Sequence, residues 1–259
     1  MAESEFFDQQ LLQTEYCRSY RCGYDDTRFG PFSNPHRNYR VLLEDLTEIF
    51  SFKPEHAFSY TTRIKSQDKD WKSCEAVFSE IIVYHFYLKL YHEGLVTSLD
   101  LCKDEFDLSV ERPDGNRMYL EVFCVMPDVK VSTPDNPIVN EIKTHTQDAM
   151  SSIRQKLLQK IEKQNQFTQP RENYAVIELN DPRIADDFTI LSSLSSGYKV
   201  SVNPSTTKVL GEGYDWNNSL FEDPRAIHLK AVIYFGVGAY HQRRIIYNPN
   251  FVLKGVGST

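Results

Sequence analysis

Two acids, Asp107 and Glu121, lie in the stretch FDLSVERPDGNRMYLEVF (106–123), at positions that a hairpin would bring face to face. Apolar and polar residues alternate on both sides of Arg112-Pro113-Asp114-Gly115-Asn116, which predicts two antiparallel strands, roughly 105–111 and 117–125. Pro113 suits the second position of a type I turn, and Gly115 the left-handed position that closes a three-residue loop. Arg112 and Asn116 then flank the loop as a pair, and counting five residues outward on each strand sets Asp107 opposite Glu121. Opposed residues share a face, with Cβ atoms about 4.5–5.5 Å apart. A two-residue loop would send the acids to opposite faces. The reverse face carries Leu108, Val110, Leu120, Val122 and Cys124 and is core-like, while Phe106, Tyr119 and Phe123 flank the acids. Opposed carboxylates in a poorly solvated place call for a shared proton, a basic side chain or a hard divalent cation with oxygen ligands. A solvated hairpin edge, or an arginine that neutralises the pair, would explain them without chemistry.

The elements around the hairpin follow from periodicity. RNYRVLLEDLTEIF (37–50) has helical spacing through Leu42, Leu46 and Ile49, after the loop GPFSNPH. A second helix runs from Ser73 to Leu90, with a stripe of Ala76, Val77, Ile81, Tyr84 and Leu88, Glu80 beside it and Gly94 ending it. Beyond the hairpin come a polar loop with Pro127, Pro134 and Pro137, then a long helix over about 140–166 with Met150, Ile153, Leu157 and Ile161 inward. YAVIELN (174–180) reads as a buried strand, 183–195 as a helix, and KAVIYFGVG and RRIIYNPN as the last strands. The class is α/β, a mixed central β-sheet flanked by helices. Residues 1–70 form a mostly helical or irregular N-terminal extension packed on the core, and 71–259 form the domain that carries the acids.

With 41% hydrophobic and 25% charged residues, the 259-residue chain is globular rather than disordered. Its net charge of −7 argues mildly against a nucleic-acid binder, which is usually basic. The charge is uneven: no Asp or Glu follows Asp223, whereas Arg225, Lys230, Arg243, Arg244 and Lys254 do. MAESEFFDQQ lacks an apolar targeting region, AVIYFGVGAY is too short to cross a bilayer, and the five cysteines are scattered. These features predict a soluble, cytoplasmic chain with no membrane partner. Cys17, Cys22 and His36 are loosely spaced with no second pair, and read as ordinary residues rather than zinc ligands. His85 and His92, two helical turns apart, read as packing or surface residues. The phosphate-binding loop, the nucleophile elbow, the zinc-protease motif and the dinucleotide fingerprint are all missing from the sequence.

An acidic helix residue (Glu80), an acid at one hairpin strand (Asp107), an acid in its partner (Glu121), then the polar-faced QKLLQKIEKQNQF and an apolar strand follow one another in a familiar order. Over residues 71–250 the chain resembles the PD-(D/E)XK nuclease superfamily. The resemblance implies a restriction-endonuclease-like core and metal-dependent hydrolysis of phosphodiester bonds in nucleic acid, DNA above RNA. It implies Mg²⁺ or Mn²⁺ on Asp107, Glu121 and the carbonyl of Val122, with Glu80 nearby through water. The motif's lysine, normally two residues after the Glu, is replaced by Phe123, and Phe106 stands in place of the signature proline. Migration of that lysine to the following helix occurs in the superfamily. Lys160 then takes its role, with Gln164 one turn later and Lys156 one turn earlier on the same flank. The implied catalytic set is Asp107, Glu121, Lys160 and Gln164. Lys156, Lys163 and Arg171 around the helix, with Arg243 and Arg244 near the C-terminus, would contact phosphates. Cleavage of two strands would favour a homodimer. One competing reading is the same fold without chemistry, a nucleic-acid-binding or protein-interaction subunit, which Phe123 favours. Another is an unrelated α/β protein whose acids are surface residues.

Overall fold

The structure, a computed structural model, describes residues 3–18, 37–68, 70–102, 106–126, 141–163, 167, 169–182 and 184–253, with the backbone alone at 141–148 and 163. Four helices lead: α1 (Glu3–Leu11), α2 (Tyr39–Phe52), α3 (Pro54–Ser66) and α4 (Trp71–His92). Strands β1 (Ser98–Leu101), β2 (Leu108–Glu111) and β3 (Arg117–Val125) follow, then α5 (Glu141–Lys163), β4 (Glu172–Leu179) and α6 (Asp187–Leu194). A hairpin of β5 (Tyr198–Val202) and β6 (Val209–Tyr214) precedes β7 (Leu229–Gly236) and β8 (Arg244–Tyr247). Six strands form one mixed sheet in the order β1-β2-β3-β4-β7-β8; β5 and β6 form a separate two-stranded ribbon. β3, β4 and β7 are parallel, and the strands outside them pair antiparallel.

The central strands are apolar because both sheet faces are covered. On one face Leu120, Val122, Val176 and Ile233 pack against α1–α4; on the other Phe123, Ile177 and Val232 meet Ile153, Leu157 and Ile161 of α5. This places α4 between the N-terminal helices and the sheet. The helix is therefore buried almost all round from Cys74 to Leu88, a wider face than the single stripe expected of it. Asp70 caps its N-terminus by accepting from the Ser73 N–H at 3.3 Å, and Gly94 leaves it at φ +74°.

A buried ionic network joins the chain's first part to the sheet. Arg37 donates to Glu75 on α4 at 2.8 Å and to Glu178 on β4 at 2.6 Å, all three side chains being essentially inaccessible. Tyr16, Asn180, Ser79 and the Gly238 N–H supply further donors to the two carboxylates. Ions this deep are tolerated only when paired and hydrogen-bonded by several donors. A second tie holds α2 to α4: His85 stands 2.7 Å from Asp45 and 2.6 Å from Glu48. His85 is thus the packing residue expected, with the added role of an ion-pair partner.

Candidate functional site

The hairpin turn sets the site. Arg112 N–H donates to the Asn116 carbonyl at 2.9 Å, Gly115 N–H donates back to Arg112 at 2.9 Å, and Gly115 sits at φ +78°. The strands pair Glu111 with Arg117 through Leu108 with Leu120. One further step of that register sets Asp107 against Glu121, as the turn chemistry predicts. Regular pairing ends there. Asp107 N–H donates to the Leu120 carbonyl at 3.2 Å, and its Oδ2 accepts the Val122 N–H at 2.7 Å. The carboxylate thus takes the place of the next main-chain acceptor. N–H and C=O of one strand residue point the same way, so the Val122 carbonyl faces the Asp107 side too.

Glu121 is in the middle of the sheet, 3% exposed, opposite Ala175 of β4 on the face that α5 covers. A lone carboxylate there would cost several kcal/mol. Lys160, reaching across from α5, donates to its Oε1. Glu80 approaches from α4, 2% exposed, and Arg63 of α3 holds both its oxygens with two N–H donors at 2.5 Å. The acids feel one another. Burial and then the charge of Asp107 push Glu80 up to about 8, Arg63 pulls it back, and Glu121 adds to the rise. The fork of Arg63 on both oxygens is the geometry of the ionised form. Burial likewise raises Asp107, against the Val122 N–H and the charges of Lys160 and Arg63. Three acids thus share two cations, Arg63 and Lys160.

Lys156, one turn before Lys160, donates to the Cys124 carbonyl at 2.6 Å, and its ammonium lies 5.7 Å from the centre of the Phe123 ring. Burial, reinforced by Lys72 and Lys160, holds that ammonium below the ordinary lysine value. Arg171 stacks at 4.3 Å over Tyr119 and 4.5 Å over Phe106. Gln164 and the side chain of Lys163 lie outside the described residues, as do Cys22, His36 and the loop prolines. Arg243 and Arg244 are elsewhere. The guanidinium of Arg243 caps an aromatic cluster, 4.2 Å from Phe86 and 5.2 Å from Tyr240. Arg244, on β8, pairs with Asp187 of α6; β8 is three strand steps from β3, about 14 Å away.

The structure therefore brings Asp107, Glu121, the Val122 backbone and Lys160 together, with Glu80 in their field. Arg63 is the participant that sequence reasoning missed. Helix α3 has a signal, Pro54 at its first turn and Glu55 after it, but nothing local points Arg63 at Glu80. The oxygen-only donor set of Asp107, Glu121 and the Val122 carbonyl suits a hard divalent cation. Among the described residues, no group of three His, Cys, Asp or Glu stands at metal-ligand spacing. Among the described residues, no helix is long and apolar enough to cross a membrane. Comparison with family models, curated proteins and solved structures gives no match for this chain.

Proposed function

We propose that the chain is a divalent-metal-dependent nuclease with a restriction-endonuclease-like core, hydrolysing phosphodiester bonds in DNA. The observation that carries the reading is the approach of Lys160 to Glu121, beside Asp107 and on a helix that follows the hairpin. This supplies an ammonium where Phe123 cannot. Asp107, Glu121 and the Val122 carbonyl would hold Mg²⁺ or Mn²⁺, with Glu80 contributing from a distance. Such a cation supplies positive charge against the phosphate and acidifies water. Lys160 would leave Glu121 to steady the attacking group, and Phe123 and Tyr119 exclude bulk solvent on either side. Lys156 and Lys163 would contact phosphates near the centre. Arg243 and Arg244 would reach only a ligand long enough to extend to the far sheet edge, and cutting both strands of a duplex would need a pair of chains.

Calorimetric titration of Mn²⁺ tests this without a guess at the substrate. The parent should bind, and folded Asp107→Ala and Glu121→Ala should not. A folded parent that takes up no metal at millimolar concentration would sink the reading. One observation favours a second reading, a nuclease fold acting as a nucleic-acid-binding or protein-interaction subunit. Arg63 and Lys160 already balance Glu80 and Glu121, as they would in a centre that no longer takes a metal.

A further inference from the structure

The ribbon of β5 and β6 stands apart from the core. Its strands pair with each other, and among the described residues no other strand continues either edge. All five residues of β5 are exposed. Of the fifteen large apolar side chains exposed among the described residues, five lie on the eleven strand residues of the ribbon: Tyr198, Val200, Val202, Val209 and Leu210. Apolar surface gathered in this way marks a contact site. At the base of the ribbon, Phe188 of α6 meets the rings of Tyr198 and Tyr214 at 6.1 and 6.3 Å. A two-stranded ribbon is marginal in water, and further strands stabilise it.

The outer edge of β5 is regular. The Gly197 carbonyl accepts the Asp215 N–H, and the Asn203 N–H donates to the Lys208 carbonyl, so the odd-numbered residues bond to β6. Tyr198, Val200 and Val202 alternate with them and turn N–H and C=O outward. An edge lysine can guard against pairing, but Lys199 is tied to Asp215. We infer that β5 is the contact edge for a second copy of this chain, paired antiparallel about a two-fold axis at Val200. That register sets Val200 against its own copy and Tyr198 against Val202 of the partner subunit, an aromatic–β-branched pair. All three outward residues then exchange main-chain bonds, and Lys199 faces Ser201 of the partner subunit. An axis one residue earlier would oppose two lysines, and one residue later would set Pro204, which has no N–H, against Tyr198. The β6 edge is poorer, because Glu212 would meet its own copy or a leucine, and Gly211 and Gly213 weaken the strand.

Two further observations favour a second copy. In a chain of net charge −7, residues 195–208 hold two lysines and no acid, so like bodies repel least there. The same register also carries the partner's ribbon tip past Ser196 and Ser195. These line an open cleft of ≈ 770 Å³ with Arg154, Phe188 and Ser192. The Ser192 hydroxyl is buried there without a hydrogen-bond partner among the described residues, and the tip sequence NPSTTK is rich in hydroxyls. At about 32 Å² a residue, roughly fourteen residues from each copy would bury about 900 Å² in total, which suits a reversible dimer rather than an obligate one. The contact uses no residue of the Asp107–Glu121 centre, so it does not depend on the nuclease reading.

The test is sedimentation velocity of the full chain between about 1 and 200 µM, where a monomer should give way to a dimer and to nothing larger. Val200→Pro removes an N–H that the ribbon itself does not use, so the chain should stay folded by circular dichroism while dimer affinity falls at least about tenfold. Tyr247→Lys, on the exposed β8 edge of the main sheet, should change nothing. Cross-linking then fixes the register. Val200→Cys brings two thiols together at the axis, with Cα atoms about 5.5 Å apart, and mild oxidation should join the copies. Ser201→Cys leaves its two Cα atoms more than about 7 Å apart and should join them at least about tenfold more slowly. The parent, oxidised alongside, measures the background from the native cysteines. A chain that stays monomeric throughout, a dimer that Val200→Pro leaves intact or Tyr247→Lys abolishes, growth beyond the dimer, or faster cross-linking at Ser201→Cys would each overturn the inference. None of these readouts uses Mn²⁺, so loss of the nuclease reading would leave the dimer standing, and loss of the dimer would leave metal uptake untouched.

Discussion

Lys160 on α5 donates to Glu121 on β3, one two-residue step along the strand from Phe123. An ammonium thus stands next to the opposed acids although the hairpin itself offers only a ring. If the centre is a nuclease, Lys160→Ala should lower the single-turnover cleavage rate by about 10²–10³-fold. The same change removes the cation that competes for Glu121, so Mn²⁺ affinity should rise. An unchanged rate with unchanged affinity would show that Lys160 does no more than neutralise a buried acid.

Arg63 and Glu80 form the second ion pair of the centre, and the carboxylate is much the more deeply buried partner. Arg63→Ala should destabilise the protein by about 1–3 kcal/mol, since it strands a buried acceptor. Adding Glu80→Gln should recover a good part of that loss. Urea unfolding of the two single variants and the double variant measures the coupling; simple additivity would deny it.

His85 gives the protein a pH dependence of stability. Burial disfavours its charge, but Asp45 and Glu48 outweigh burial and raise its pKa above the ordinary imidazole value. The folded state therefore holds the proton more tightly than the unfolded state. Its contribution is complete below the unfolded value of about 6.5 and is lost as pH rises through the higher folded value. Chemical denaturation between about pH 6 and pH 9 should show falling stability, part of which His85→Asn removes; the rest belongs to Glu80, whose raised carboxyl also binds its proton more tightly in the folded state. A variant with the parental slope would place the effect elsewhere.

The turn should be as sensitive to length as to composition. Gly115 at φ +78° has nothing within 4 Å of where a Cβ would stand. Gly115→Ala should therefore cost about 1 kcal/mol of backbone strain and no clash. Deleting Asp114 would shorten the loop by one residue and shift the register, which reverses the face of one acid relative to the other. Mn²⁺ uptake should then vanish while far-UV circular dichroism stays helical. Retained uptake would mean that the opposed acids are not the ligands.

The hairpin was legible because its signals are local: proline, glycine and alternating apolar residues fix both turn and register. Lys160 was legible because Phe123 leaves the hairpin without an ammonium and helical spacing puts Lys160 one turn from Lys156 on the next polar-faced helix. The central strands were legible from unbroken apolar runs such as YAVIEL. Strand β1, the sequence SLDL, was not: it has four residues, and Asp100 is tied to Lys53. The ribbon of β5 and β6 was missed because its side chains are largely exposed, so no core face marks it. Arg63 at Glu80 and Arg37 at Glu178 depend on tertiary packing, and neither residue carries a signal about its partner.

Arg37 and Glu178 are 141 residues apart, and that separation bears on how the protein is made. When the N-terminal helices leave the ribosome, the carboxylate that completes their ionic anchor has not been synthesised. They must wait in a provisional arrangement until the β4 segment emerges, so final docking is a late, long-loop event. Truncated chains ending before Glu178 should expose this unfinished surface and be held by chaperones, whereas chains carried past it can close.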